Sequence, residues 1–201
     1  MVDPEHLTDE QLVDLSLKDD KNFYYLMKRY EEKITYYIKR ITNTNREGVE
    51  DILQEVFIKV YKNLHDFNKK FKFSSWIYRI AHNEVISYYR KNRKVLESFS
   101  LDMDGTDHDH LMTFMGATLD IEEEYISRED TDMVKRIFTE LPPKYREVLV
   151  LRYQEEKSYD EISDILKKPP GSVATLISRA KSNFRKTVHK RKGEGLLLNY
   201  E

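Results

Sequence analysis

The chain has 201 residues, with 34 Lys and Arg against 36 Asp and Glu, a formal net charge of −2 and a hydrophobic share of 39%. That hydrophobic share is too large for a disordered chain. The absence of cysteine excludes disulfides and thiolate metal sites. No apolar run approaches the roughly 18 residues that a membrane span needs. The first residues lack the basic and apolar pattern of a secretory signal. With six Gly and five Pro, the composition predicts a soluble, cytoplasmic, mostly helical protein.

The near-neutral net charge hides blocks of opposite sign. Residues 66–95 carry eight bases and two acids, and residues 167–193 carry nine bases and no acid. Between them, residues 97–132 carry twelve acids and one base. A single charge run is as often a solvated helix face, but two basic blocks within patterned helical segments favour two surfaces for nucleic acid.

Residues 1–95 are predicted to form a small helical domain. A capping-box pattern at Thr8–Gln11 opens a short first helix. Apolar residues then recur every three to four positions from Phe23 to Ile41 and from Val49 to Leu64, which predicts two amphipathic helices. Residues 66–73 form a basic, aromatic loop, and Ser74 or Ser75 can cap a further helix that runs to Lys94.

Residues 96–132 show no sustained period and are predicted to be an acidic linker that is flexible in the free protein. The Asp and His residues between Asp102 and His110 suggest a metal site. However, an EF-hand loop that begins at Asp102 would need Gly and Glu where Asp107 and Thr113 stand. A zinc site would need further ligands on ordered structure. No metal or other cofactor is therefore predicted.

Residues 133–192 are predicted to form a second helical domain, followed by a C-terminal tail at 193–201. Pro142-Pro143 marks a helix start, and a second capping box at Ser158–Glu161 opens a short helix. A tight turn at Lys167–Gly171 leads into a last helix from Ser172, which carries a basic row on its outer side. This order is typical of a helix-turn-helix, although a generic helical hairpin fits the same pattern.

Two stretches of the chain resemble conserved regions of bacterial sigma factors. The first resembles region 2 and combines Asp51-Ile-Leu-Gln-Glu-Val-Phe57 with Phe71-Lys-Phe-Ser-Ser-Trp-Ile-Tyr-Arg79, Ile80-Ala-His-Asn83 and Arg90. The second resembles region 4 and combines Leu141-Pro-Pro-Lys-Tyr-Arg146 with Ser158-Tyr-Asp-Glu161 and Gly171-Ser-Val173. Since no region 3 lies between them, the chain is identified as a member of the extracytoplasmic function (ECF) group.

The resemblance implies an all-α protein of two small helical domains, a region 2-like bundle and a region 4-like helix-turn-helix, joined by the acidic linker. It implies binding to the β′ and β subunits of core RNA polymerase and recognition of the −10 and −35 elements of promoter DNA, with melting of the −10 region. It also implies control by an anti-sigma factor, no membrane insertion of the protein's own and no catalytic chemistry.

The resemblance assigns three sets of site residues. The polymerase-binding set comprises Glu50, Asp51, Gln54, Glu55 and Lys59. The −10 DNA set comprises Asn68, Lys69, Lys70, Phe71, Lys72, Arg79, Asn83 and Arg90. The −35 DNA set comprises Ser172, Thr175, Ser178, Arg179, Lys181, Arg185 and Lys186. Trp76 is expected in the core instead, because Ile80 follows it on the same buried stripe.

Two other functions fit parts of the sequence. A stand-alone helix-turn-helix regulator would explain the C-terminal half, but a protein that binds only duplex DNA has no use for the basic, aromatic loop at 66–76. A helical adaptor with no nucleic-acid role would leave the acid-free run at 167–193 without a purpose.

Overall fold

The computed structural model describes residues 6–97 and 136–193. The predicted linker from residue 98 onward, with its Asp- and His-rich string, and the tail from residue 194 onward lie outside the described residues. Within the described part of the chain, no helix is long and apolar enough to cross a membrane.

Four helices form the N-terminal module, defined here as residues 6–97. They are α1 Asp9–Lys18, α2 Phe23–Ile41, α3 Arg46–Lys62 and α4 Phe73–Glu97. Short 3-10 turns at Asp20–Asn22 and Leu64–Asp66 follow α1 and α3. The amphipathic segments predicted from the apolar period are thus helices.

The C-terminal module, defined as residues 136–193, is also helical. After a helical segment at 136–140 come α5 Pro143–Leu149, α6 Tyr159–Leu166 and α7 Pro170–Gly193. A π-helical turn, Val150–Gln154, continues α5. The all-α prediction is confirmed, and the predicted helix start at Pro143 is observed because proline suits a first helical turn.

Both predicted capping boxes are present. The amide of Gln11 donates to Thr8 Oγ1 at 3.2 Å, and the amide of Thr8 donates to Gln11 Oε1 at 2.9 Å. Ser158 and Glu161 exchange the corresponding bonds at 3.2 and 2.8 Å. These local hydrogen bonds fix the starts of α1 and α6.

The predicted cap of α4 at Ser74 or Ser75 is wrong. The helix begins at Phe73, and the amide of Trp76 donates to the carbonyl oxygen of Lys72. Phe73 is fully buried and meets the rings of Tyr30 and Phe67 edge to face at 5.4 and 5.5 Å. Because this ring is locked in the core, packing sets the helix start and overrides the capping preference of serine.

The turn between α6 and α7 is shorter than predicted, because α7 begins at Pro170 and not at Ser172. Lys167, with φ 52° and ψ 42°, ends α6, and its amide donates to the carbonyl oxygen of Ser163. Gly171 lies instead within the first turn of α7, which begins at Pro170. The left-handed residue that closes a helix is often glycine, and in α6 it is a lysine.

The two modules share one continuous apolar core. Helix α4 packs against α3 and also against α6, and α2 contacts α5. Trp76 and Phe73 are buried in this core, as predicted for Trp76. The sequence predicted two domains on a linker but gave no sign that they pack together, and this contact decides which charged side chains reach solvent.

Candidate nucleic-acid and partner interfaces

The outer face of α3 carries the five residues of the polymerase-binding set. All five, Glu50, Asp51, Gln54, Glu55 and Lys59, are exposed. The opposite face is buried and comprises Val49, Ile52, Val56 and Val60. The 3.6-residue period separates the two faces cleanly, so the outer face is not needed for the core.

Two side chains modify the prediction for α3. Ile58 is 44% exposed and continues the outer face one turn beyond Gln54, so this face includes an apolar residue that the sequence analysis missed. Tyr61, which the apolar period from Val49 to Leu64 places on the buried face, is exposed instead. Its ring lies against Phe23 at the end of α3, with a centroid distance of 5.2 Å.

Two members of the polymerase-binding set form ion pairs within their own module. Lys59 Nζ lies 2.5 Å from Oε1 of Glu84, a buried carboxylate on α4. Glu50 pairs with Arg46 at 2.7 Å along the helix, but both side chains are exposed and the pair contributes little to stability. Asp51, Gln54 and Glu55 therefore form the most available polar part of the face.

The loop before α4 presents the first half of the −10 DNA set to solvent. Asn68, Lys69, Lys70 and Phe71 are all exposed, and half of the Phe71 surface is accessible. The side chain of Asn68 accepts from the amide of Lys70 at 3.0 Å, and Lys69 pairs with Asp14 on α1. The loop is thus held to the module while the Phe71 ring remains accessible to solvent.

Helix α4 divides the rest of the −10 DNA set. Asn83 and Arg90 are exposed. Arg79 is only 20% exposed, because its Nη1 atom lies 2.7 Å from Asp164 Oδ1 on α6. Lys72, just before α4, is largely exposed but places its Nζ atom 3.1 Å from Glu161 Oε1, also on α6. Two predicted DNA contacts are therefore paired with acids of the other module.

Glu147 of α5 lies at the centre of the interface between the modules and is 5% exposed. Its Oε1 atom accepts from the Tyr37 hydroxyl at 2.6 Å and lies 2.6 Å from His82 Nδ1. Burial, reinforced by Glu147, raises the pKa of Tyr37 well above its usual value, so this hydroxyl remains a donor. Burial opposes protonation of His82, but the charge and hydrogen bond of Glu147 outweigh it and raise the His82 pKa.

Further polar contacts join the modules on either side of Glu147. The Tyr78 hydroxyl donates to Glu155, and Lys157 Nζ lies 4.5 Å from the centre of the Tyr78 ring. Arg146 is buried and donates to Asn43 Oδ1 at 2.7 Å. Burial lowers the pKa of Arg146, but a guanidinium stays charged at any physiological pH.

The sequence analysis missed the acids of this interface. They are Glu147, Glu155, Glu161 and Asp164, which we call the acidic strip. The spacing of Glu161 and Asp164, three residues apart on a short helix, places them on one side of α6. The sequence shows this spacing, but it does not show which helix contacts that side of α6.

Helix α7 presents the whole −35 DNA set to solvent. Ser172, Thr175, Ser178, Arg179, Lys181, Arg185 and Lys186 are all exposed. The buried side of the helix comprises Val173, Ile177 and Ala180. Near the start of α7, a shallow pocket is lined by Gly171, Ser172, Thr175, Leu176 and Arg179. The arrangement offers polar groups at the N-terminal end of the helix and a basic row behind them, which suits base-edge and phosphate contacts.

Comparisons with known proteins agree with this geometry. A family model described as Sigma-70 region 2 matches residues 26–95, and one described as Sigma-70, region 4 matches residues 131–183. The ECF RNA polymerase sigma factor SigW of Bacillus subtilis is 34% identical over 85% of this chain and 90% of its own length. The ECF RNA polymerase sigma-E factor of Escherichia coli K12 is 34% identical over 88% of this chain and 92% of its own length.

Two solved structures share the fold. CnrH, solved in complex with the cytosolic domain of CnrY, matches with a TM-score of 0.65 at 20% identity, over 90% of this chain and 97% of that one. The sigma factor RpoE of Bartonella quintana, solved with the anti-sigma factor NepR, matches with a TM-score of 0.64 at 18% identity, over 84% of this chain and 98% of that one.

Proposed function

The chain belongs to the ECF group of RNA polymerase sigma factors, and we propose that it uses three separate surfaces to start transcription. The outer face of α3 binds core RNA polymerase, the loop before α4 together with α4 binds the melted −10 element, and α7 reads the −35 element in duplex DNA. Members of this group are transcription initiation factors and not enzymes. The protein acts in the cytoplasm, where polymerase and promoters are found.

The exposed Phe71 ring between Lys70 and Lys72 is the observation that carries this proposal. A base that leaves the helical stack needs an aromatic or shaped surface, and nearby lysines offset the phosphate charge. A stand-alone helix-turn-helix regulator would need only the exposed side of α7. The presence of both surfaces in one chain supports a protein that binds duplex and melted DNA together.

An anti-sigma factor is proposed as the regulatory partner. Both solved structures described above are complexes, one with the cytosolic domain of CnrY and one with the anti-sigma factor NepR. The exposed outer face of α3 and the exposed side of α7 are the surfaces such a partner would have to cover to prevent transcription.

Transcription from fragmented genomic DNA by purified core polymerase, with and without the full-length protein, tests the proposal. We expect discrete transcripts that require the protein and are lost in the Phe71→Ala variant. Phe57→Ala is unsuitable as a control because that ring packs on the core, so Tyr24→Ala, an exposed aromatic on α2, serves as the matched variant. Tight sequence-specific duplex binding by the protein alone, without transcripts, would favour the stand-alone regulator.

A further inference from the structure

The exposed loop before α4 is suspended between two buried aromatic rings. Phe67 and Phe73 are both buried, and their rings meet edge to face at 5.5 Å. Between them, the amide of Phe71 donates to the carbonyl oxygen of Asn68 at 3.0 Å and closes a turn. We call residues 68–72 the −10 loop. Its two ends are fixed by packing, so the direction of the Phe71 ring depends on what else holds the loop.

Helix α1 lies beside the −10 loop and contacts it at two points. Asp14 forms an ion pair with Lys69 near the start of the loop. One helical turn before Asp14, Glu10 Oε1 accepts from the amide of Phe73 at 3.5 Å, just after the loop ends. Residues four apart share one face of a helix, so α1 turns both carboxylates towards the loop. The same helix also contacts the 3-10 turn Leu64–Asp66 that precedes the loop.

Helix α1 is itself firmly attached to the module without the help of Asp14. Leu12 is fully buried in the core. Asp9 pairs with Arg29 on α2 at 2.8 Å and accepts from the Tyr30 hydroxyl. Loss of the Asp14 carboxylate would therefore release the loop but leave α1 in place.

The sign of its charge makes Asp14 informative. An acid next to a lysine lowers the attraction of the surface for phosphate, so by charge alone Asp14 opposes DNA binding. Both side chains of the Asp14–Lys69 pair are about half exposed, and such a pair contributes little to the stability of the whole fold. The pair does restrict the loop, which lowers the entropy lost when a base stacks on Phe71.

We propose that Asp14, together with Glu10, is a positioning residue that holds the −10 loop in the conformation in which Phe71 meets an unstacked base. This inference rests on the proposed function in the base-binding role of Phe71. The two carboxylates act through Lys69 and the Phe73 amide and not through DNA. Loss of Asp14 therefore weakens the binding of bases, although it removes a negative charge from the DNA surface.

Holoenzyme assembled from core RNA polymerase and the full-length protein provides the test. Its affinity is measured for two fluorescent single strands of equal length, an oligothymidylate and an abasic oligonucleotide, with core enzyme alone as the blank. Because the two backbones carry the same charge, the ratio of the two affinities reports the contribution of the bases. The variant is Asp14→Asn. The matched control is Asp66→Asn, which removes the same charge from an exposed position next to the loop.

We expect Asp14→Asn to lower the ratio by about threefold, which lies within the range that an exposed ion pair stabilises. Asp66→Asn should leave the ratio unchanged. The swapped pair, Asp14→Lys with Lys69→Asp, keeps the net charge and should restore the ratio. A ratio in Asp14→Asn that equals or exceeds that of the unsubstituted protein would overturn the inference.

Phe71→Ala in the same assay separates this inference from the proposed function. An unchanged ratio in Phe71→Ala would refute the base-binding role of Phe71 and the inference with it. A lower ratio in Phe71→Ala but not in Asp14→Asn would refute the inference alone.

The order of the −10 loop can also be measured without DNA. Because the chain has no cysteine, Lys70→Cys can carry a single nitroxide label. We expect the label to be more mobile when Asp14→Asn is added than when Asp66→Asn is added, with equal thermal melting of the two proteins. Equal mobility of the label would show that α1 does not hold the loop and would also overturn the inference.

Discussion

The two basic surfaces of this protein, on α4 and on α7, differ in how much of their charge is available. On α7, Arg179, Lys181 and Arg185 are exposed, and no acid of the described residues pairs with them. On α4, Arg79 is mostly buried beneath Asp164. Both surfaces come from basic blocks of similar density in the sequence. The number of cations in a segment therefore does not give the charge that a ligand meets, because an acid distant in sequence can cover them.

The difference has consequences for DNA binding. In the proposed contact of α7 with duplex DNA, release of counterions from the phosphates drives binding and the ordering of side chains opposes it, so affinity should depend steeply on salt. On α4 an existing ion pair must first be exchanged for a phosphate contact.

Removal of Glu147 should disrupt the packing that covers α4. In Glu147→Ala the buried Tyr37 hydroxyl loses its acceptor and His82 loses its counter-charge, so the free energy of unfolding should fall by about 2–4 kcal/mol. Urea denaturation measures this. Glu32→Ala, at an exposed position of α2, is the matched control and should change stability by less than about 0.5 kcal/mol. Equal stability of the two variants would show that the interface is not held through Glu147.

The outer face of α3 is a third charged surface and, like α7, is uncovered. Asp51→Ala with Glu55→Ala should weaken core polymerase binding by about 2 kcal/mol, or about thirtyfold. The reason is that the double change removes two carboxylates that the proposed interface pairs with basic groups of the polymerase. Stability should change by less than about 0.5 kcal/mol, since the buried stripe is untouched. Binding titration and thermal melting check both parts.

Glu31→Ala with Glu32→Ala, two exposed acids on α2, is the control for that double change. It alters the net charge equally but leaves α3 intact. A similar loss of polymerase affinity in both variants would mean that general charge, and not this face, attracts the enzyme.

The salt dependence of duplex DNA binding should distinguish the two basic surfaces directly. Arg179→Ala and Lys186→Ala should each reduce the slope of log affinity against log salt by about one, with similar losses for different sequences. Lys39→Ala, an exposed cation on α2, should leave the slope unchanged. Arg79→Ala should also have little effect on duplex binding, because Asp164 already neutralises that charge. A sequence-selective loss with an unchanged slope would make the substituted α7 residue a base reader.

The smallest expected effect is a pH dependence of module packing through His82. The pKa of His82 is raised in the folded protein. The ion pair with Glu147 therefore stabilises the fold fully at a pH below the unfolded-state pKa, which is about 6.5. That stabilisation is lost as the pH rises through the higher pKa of the folded state. Lys168 opposes protonation and Tyr37 shares the same carboxylate. Energy transfer between fluorophores attached at Lys39→Cys on α2 and Gln154→Cys on the C-terminal module should therefore decrease from pH 6 to pH 8. The same decrease in a His82→Gln variant would assign it to another group.

Local patterns predicted the elements of the fold well. The capping boxes at Thr8 and Ser158 and the proline start of α5 depend on residues within a few positions of one another, so the sequence displays them directly. The start of α4 was predicted wrongly because it depends on Phe73 packing against Tyr30 and Phe67, which come from other parts of the chain. The apolar period also predicts a buried Tyr61, which is exposed. The period gives the face of α3 on which Tyr61 lies, but it does not show that no neighbouring helix covers that part of the face.

Hydrophobic periodicity and capping are short-range properties, so the sequence alone predicts the helices and the faces that carry charge. The packing of α6 on α4, and with it the contact of Asp164 with Arg79 across 85 residues of sequence, is visible only in the folded structure. This ion pair forms because α2 and α4 pack against α5 and α6. The packing also buries the carboxylate of Glu147, which contacts Tyr37 on α2 and His82 on α4. The order of charges along the sequence does not show which charged residues meet in the folded protein.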